Sequence, residues 1–186
     1  MNWQLVQLSE VLPHPWRNAA GVTRELVAWP DSANWLWRMS VAEVGHSGPF
    51  SSFEGVQRWF AVLDGAGLRL TVGQSTHQLT AASEPLCFDG AIPVVCNLLN
   101  GATQDFNLMV RSEQCTGWMQ RVSGETCVTF DTPKILAIYA NDTRATLQND
   151  QKSLLVPARS LAWCVVPGGA AVQLNSAGAL WMEIDV

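Results

Sequence analysis

The chain has 186 residues, of which 48% are hydrophobic and 15% charged, with a formal net charge of −5. Such a composition describes a globular protein long enough to bury a core without disulfide staples, and it excludes a disordered chain. Nine arginines and two lysines, Lys134 and Lys152, are dispersed without a basic cluster, so neither nucleic acid nor a membrane surface is expected as a partner.

In chain order, the opening MNWQLVQLSE has no basic n-region and no apolar h-region, so no signal peptide is read there. PWRNAAGVTRE at 15–25 is a loop as far as Ala20, since Pro15 and Gly21 disfavour a helix. Ala19-Ala20-Gly21 supplies little side chain and lets other groups approach the backbone. From Thr23 a strand is expected, with Thr23, Glu25 and Val27 on one face and Arg24, Leu26 and Ala28 on the other. Strands are also expected at 35–41, Arg58–Leu63, Leu68–Val72, Pro93–Leu99, Phe106–Val110, Cys127–Phe130, Ile135–Ala140 and Leu180–Val186. Turn chemistry separates them at 64–67, 89–90, 100–101, 141–142, 167–169 and 176–178. Many short strands and scarce helical signals predict an all-β fold.

A weak internal repeat accompanies the strands. A shift of 75 positions lays Phe60–Leu63 on Ile135–Ile138, Leu79 on Leu154, Phe88 on Trp163 and Leu99 on Leu174. The repeat points to two related barrels, residues 1–115 and 116–186. With no Pro/Ser-rich linker between them, they are expected to form one compact unit.

The usual signatures of chemistry are absent. His14, His46 and His77 are widely spaced with no HxH, and the five cysteines (Cys87, Cys96, Cys115, Cys127 and Cys164) show no zinc spacing. No phosphate loop, dinucleotide fingerprint or GxSxG elbow occurs. No metal and no cofactor are therefore expected. The longest apolar run, Leu161–Val166, is too short to span a bilayer, and unpaired cysteines fit a reducing compartment, so a soluble, cytoplasmic protein is expected. Most of the nine tryptophans read as core; Trp35 and Trp37 are expected on one face.

Three segments carry polar groups in an unusual way. The loop and strand at 15–25 hold Arg17, Asn18, Arg24 and Glu25. Strand 35–44 is expected to put Arg38 and Ser40 on the face opposite Trp35 and Trp37. Segment 105–111 puts Asp105, Asn107, Met109 and Arg111 on one face. A solvated face explains each alone, and a barrel mouth lined with Arg, Asn and Asp explains them together.

PWRNAAGVTRE resembles the W-[KR]-N-[GA]-[GA]-G-x-T-R-E motif of the HutD/Ves family. The resemblance continues through WLWRMSVAEV, GPFSSFEGVQRW, VLDGAG and DFNLMVR across the first 111 residues. Ala19-Ala20, in place of the commoner Gly-Gly, resembles the Ves-type branch more than the histidine-utilisation branch. The resemblance implies a bicupin, two stacked cupin-like barrels in one chain, with a role in metabolic sensing or a stress association and no assigned reaction. Carried over by position, its polar residues are Trp16, Arg17, Asn18, Thr23, Arg24, Glu25, Arg38, Ser40, Arg58, Asp105, Asn107 and Arg111.

The expected function is metal-independent binding of a small anionic molecule, such as a carboxylate, by a chain that could assemble as a homodimer. Two alternatives stand beside it. One is a metal-free isomerase or hydrolase acting on an N-acyl amino acid or sugar acid, with Glu25 or Asp105 as base. The other is a protein-interaction module using exposed tryptophans.

Overall fold

A computed structural model describes residues 1–149 and 152–185. The described residues form β-strands and a single 3₁₀ turn, Leu8–Glu10, so the fold is all-β. Strand β1 (Gln4–Gln7) comes first. There follow β2 (His14–Pro15), β3 (Gly21–Trp29), β4 (Trp37–Val44), β5 (Gly48–Pro49), β6 (Val56–Asp64), β7 (Leu68–Val72), β8 (Ser75–Leu79), β9 (Leu86–Asp89), β10 (Val94–Leu98) and β11 (Thr103–Arg111). The chain ends with β12 (Thr116–Thr129), β13 (Lys134–Ala140), β14 (Ala145–Gln148), β15 (Ser153–Val156), β16 (Ser160–Val166) and β17 (Ala171–Asp185).

Two units form. One is Leu12–Thr116; the other joins Met1–Val11 to Gly117–Val186. The first eleven residues thus leave the expected N-terminal barrel, because β1 pairs antiparallel with β16, setting Gln4 opposite Trp163 and Gln7 opposite Ser160.

The unit Leu12–Thr116 has a six-stranded sheet, ordered β2-β3-β4-β11-β6-β9, and a four-stranded sheet, ordered β5-β10-β7-β8. Apolar side chains at alternate positions pack between them: Ala42, Val44, Phe60 and Val62 from the first, Leu68, Leu70, Val94 and Cys96 from the second. Two irregularities set which side chains enter this interior. In β3 the pairing with β4 skips Leu26, so Glu25 stays opposite Ser40 while Val27 meets Met39 and Ala28 meets Arg38. The extra residue moves Val27 to the face opposite Glu25, against simple alternation. In β6, Leu63 is skipped against β11, which leaves Asp105 between Ala42 and Val62.

Trp35 precedes β4 and escapes its alternation. It packs with Val56 and Met109, whose face is that of Arg38, whereas Trp37 stacks on Trp29 with ring centroids 6.4 Å apart. The expected pairing of Trp35 with Trp37 on one face is therefore corrected.

The second unit orders its sheet β1-β16-β13-β17-β14-β15, with β12 also paired to β17. Its core includes Leu136, Ile138, Ala162, Cys164, Leu174 and Trp181. Trp181 stacks on Phe130, centroids 6.3 Å apart, and donates its Nε1–H to Glu183 Oε1 at 2.9 Å. The turn expected at 176–178 lies within β17, one continuous strand that pairs with β14 over Gln173–Ser176 and with β13 over Ala179–Ile184. Val186, the last residue of the strand expected there, lies outside the described residues.

The shift of 75 positions also relates pairings. β6 pairs with β9 and β11, and β13 pairs with β16 and β17; β7 pairs with β8 and β10, and β14 pairs with β15 and β17. β17 does alone what β10 and β11 do as separate strands.

Candidate functional site

Within the unit Leu12–Thr116, a cavity of about 620 Å³ opens on the inner face of the six-stranded sheet. Arg58 forms its floor. It is 7% exposed and lies on β6 between Phe88 of β9 and Met109 of β11. Its Nε and Nη2 both donate to Asn107 Oδ1, at 3.0 and 2.7 Å. The guanidinium sits over the rings of Phe50, Phe88 and Phe53 at 5.2, 5.5 and 6.0 Å, an aromatic setting that tolerates a cation while excluding water. Burial, then the neighbouring Arg38 charge, lowers its pKa to about 10, against the raising influence of Asp105, so the group stays cationic at neutral pH.

β4 supplies Arg38 and Ser40 to the same cavity. Arg38 Nε lies 2.7 Å from Glu25 Oε2, and Ser32 Oγ donates to Glu25 Oε1. Glu25 therefore holds Arg38 in place rather than lining the cavity itself. Glu25 reaches Arg38 because it pairs with Ser40, two residues along β4 from Arg38 and on the same face, while the bulge at Leu26 turns Val27 away from that face.

The loop at 16–20 forms the rim. Trp16 Nε1 donates to Thr23 Oγ1 at 2.7 Å, and the Trp16 ring meets Phe50 edge-on at 6.1 Å. Trp16 N–H donates to Gly21 O, and Ala20 N–H donates to Asn18 Oδ1, so the loop is closed by its own bonds. Gly21 is required by proximity: a Cβ there would strike Glu43 O and crowd the Trp16 ring at 3.2 Å. Arg17 and Asn18 are exposed at this rim and line the cavity.

Of the residues expected to converge, the cavity gathers Trp16, Arg17, Asn18, Thr23, Arg38, Ser40, Arg58 and Asn107. Four others lie elsewhere. Arg24 points to the opposite face of β3 and pairs with Glu43. Glu25 stands behind Arg38. Asp105 is fully buried and accepts a hydrogen bond from Thr103 Oγ1 at 2.8 Å. Arg111 stacks over Trp35 at 4.6 Å, donates to Glu54 O, and borders a separate depression of about 570 Å³. The residues not anticipated are the apolar walls: Phe50, Phe53, Phe60 and Met109. Their signal was present in GPFSSFEG, where two phenylalanines sit among turn residues.

Chemically, the charged groups lining the cavity are guanidinium ions, which attract an anion and repel a metal cation. Among the described residues, no group of three His, Cys, Asp or Glu side chains is gathered for a metal. The side chains present do not fit one.

The chain resembles known proteins over most of its length. The model of the family described as HutD matches residues 8–182. An uncharacterized 21.2 kDa protein of the hutC 3′ region of Pseudomonas putida is 32% identical over 142 residues, 74% of each chain. Protein Ves of Cronobacter sakazakii is 36% identical over 115 residues, 61% of this chain and 63% of that one. Among solved structures, a conserved protein of unknown function from Pseudomonas aeruginosa PAO1 has a TM-score of 0.89 at 28% identity, covering 100% of both chains. HutD from Pseudomonas fluorescens SBW25, solved in a formate condition, has a TM-score of 0.84 at 26% identity over 98% of both. Oxalate decarboxylase of Bacillus subtilis shares the cupin-like fold alone, with a TM-score of 0.62 at 8% identity over 97% of this chain and 76% of that one. With the WRNAAG loop and the arginine-lined cavity on a fold so widely shared, the chain belongs to the HutD family.

Proposed function

We propose that the cavity of the Leu12–Thr116 unit binds a small organic anion, a carboxylate in the simplest case, without a metal, and that the protein is a bicupin whose first barrel carries this site. The observation that carries the reading is the charge balance. Three guanidinium groups, Arg17, Arg38 and Arg58, line one cavity, and Glu25 is the one carboxylate within ion-pair distance of any of them among the described residues. A cavity so lined is completed by an anion.

The donors support the same reading. Arg58 and Asn107 fix each other, so a ligand meets an oriented pair rather than a mobile side chain. A charge-assisted hydrogen bond contributes about 1.5–3 kcal/mol. Two such bonds place the affinity in the range from about 5 mM to about 50 μM. Phe50, Phe53 and Phe60 provide apolar walls for the body of the ligand. Glu25 is committed to Arg38 and Ser32, which favours binding over general-base catalysis. The biological setting proposed with it is the sensing of a metabolite, with a stress-associated role as the other, both carried over from the resemblance of the WRNAAG motif to its family.

The test is a thermal-shift screen of metal-free protein against acetate, N-formyl and N-carbamoyl amino acids, and sugar acids. Saturable stabilisation by one of these, lost in Arg58→Met, supports the reading. No shift from any anion, or a shift that Arg58→Met leaves intact, overturns it.

A further inference from the structure

Asp105 lies two residues along β11 from Asn107 and on the same face, beneath the floor of the cavity. It is 0% exposed. Oδ2 accepts one hydrogen bond, from Thr103 Oγ1, and Oδ1 is buried with no partner. Among the described residues, no basic group reaches it at ion-pair distance, because Arg58 directs its Nε and Nη2 to Asn107 instead. A buried carboxylate held by one hydrogen bond is poorly compensated, and a proton is the simplest compensation available.

The groups that face it are few. Arg58 of β6 acts on it electrostatically, with Arg38 of β4 acting in turn on Arg58. Cys96 of β10 feels the Asp105 charge, but burial pushes its thiol to about 12, so it is neutral. The flanking Ala42 and Val62, and Leu68 and Leu70 of β7, are apolar. Burial pushes the Asp105 carboxyl up to about 7, against the lowering influences of the Thr103 hydrogen bond and Arg58.

We propose that Asp105 is a proton site coupled to the cavity, so that an anion bound beside Arg58 is accompanied by a proton taken up on Asp105. The inference rests on the anion-binding reading above. When Asp105 is ionised in the ligand-free protein, its charge partly offsets that of Arg58. A bound anion supplies that offset from the cavity side, which leaves two negative charges about one buried cation. Protonation of Asp105 removes the excess and restores the original charge. Linkage is reciprocal: protonation of Asp105 strengthens anion binding by the factor by which the anion favours protonation.

The test is calorimetric titration of the full chain with acetate from about pH 6 to about pH 8.5, in cationic buffers of different protonation enthalpy. Uptake of up to about one proton per acetate is expected, with affinity weakening by as much as about tenfold per pH unit above the carboxyl's midpoint. Asp105→Asn abolishes both effects. Thr103→Val, which removes the bond favouring the ionised form, moves the profile to higher pH. In ligand-free protein, the infrared carbonyl band of a protonated carboxyl titrates near neutrality and is missing from Asp105→Asn. Acetate binding that is independent of pH, or a carboxyl band that does not titrate, overturns this proposal alone. Absence of binding at every pH overturns the reading of the cavity and this proposal with it.

Discussion

Arg58 gives two of its N–H groups to a single acceptor, Asn107 Oδ1, across the β6–β11 ladder. The pair fixes the orientation of the Asn107 amide. Both residues line the cavity, so an oriented amide and guanidinium face whatever occupies it.

Arg58→Met keeps the side-chain bulk among Phe50, Phe53 and Phe88 while removing the charge. Anion affinity is expected to fall by about tenfold or more, the equivalent of one charge-assisted bond, as read by thermal shift against acetate. Arg24→Met and Arg111→Met serve as contrasts. Arg24 spends its charge on Glu43 and Arg111 stacks on Trp35, both outside the cavity, so affinity is expected to stay unchanged.

Asn107→Leu tests the structural half of the same pair. It leaves a buried guanidinium without its acceptor, and the urea-unfolding free energy is expected to fall by about 3 kcal/mol. Restoration of stability in the double variant Arg58→Met, Asn107→Leu would identify the unpaired charge as the cause.

The rim loop holds two opposite predictions. Ala19 adopts a φ of 55°, which disfavours a side chain, so Ala19→Gly is expected to stabilise the protein, or at least to cost nothing, within about 1 kcal/mol. Gly21→Ala drives a methyl group against Glu43 O and the Trp16 ring. It is expected to lower the melting temperature and to weaken anion binding, because Trp16 loses its seat beside Thr23.

The raised carboxyl of Asp105 fixes the sign of a pH effect on stability. The folded state holds a proton that the unfolded state releases near the ordinary carboxylate value, so this group's contribution falls as pH rises from about 4 to about 7. The difference in unfolding free energy between wild type and Asp105→Asn should change by at most about 1.4 kcal/mol per pH unit across that window and level off above it. A difference that is flat across the window would show that Asp105 is ionised throughout.

In the second unit, Trp181→Phe removes the donor to Glu183 and leaves part of the space beside Phe130 unfilled. Denaturant unfolding is expected to lose about 1–3 kcal/mol.

Most of this architecture was legible in the alternation of apolar residues, because each sheet buries one face against a core. Leu68–Val72 forms as a strand with the expected ends, and Asp105, Asn107 and Met109 share a face. What escaped alternation is local. The extra residue Leu26 turns Val27 away from the face of Glu25, and Trp35 falls before the strand begins. The turn read at Ser176–Gly178 became strand because β14 and β13 pair with β17 on either side of it. Register decides such matters, and pairing partners remote in sequence decide register. The phenylalanine walls were less legible for a different reason: aromatic residues are ordinarily core, and although Phe50 and Phe53 stand among turn residues in GPFSSFEG, it is the placement of Arg58 over them that marks them as lining.

The pairing of β1 with β16 has a consequence for the order of events during synthesis. Leu12–Thr116 is a continuous stretch whose strands find all their hydrogen-bonded neighbours within it. It can therefore condense while the C-terminal residues are still being made, as domains do on the ribosome. Gln4–Gln7 is made well before Ser160–Trp163 and has no strand to join until that segment emerges. A segment made before the whole Leu12–Thr116 stretch thus finds its place after it, and closure of so long a loop slows that final step.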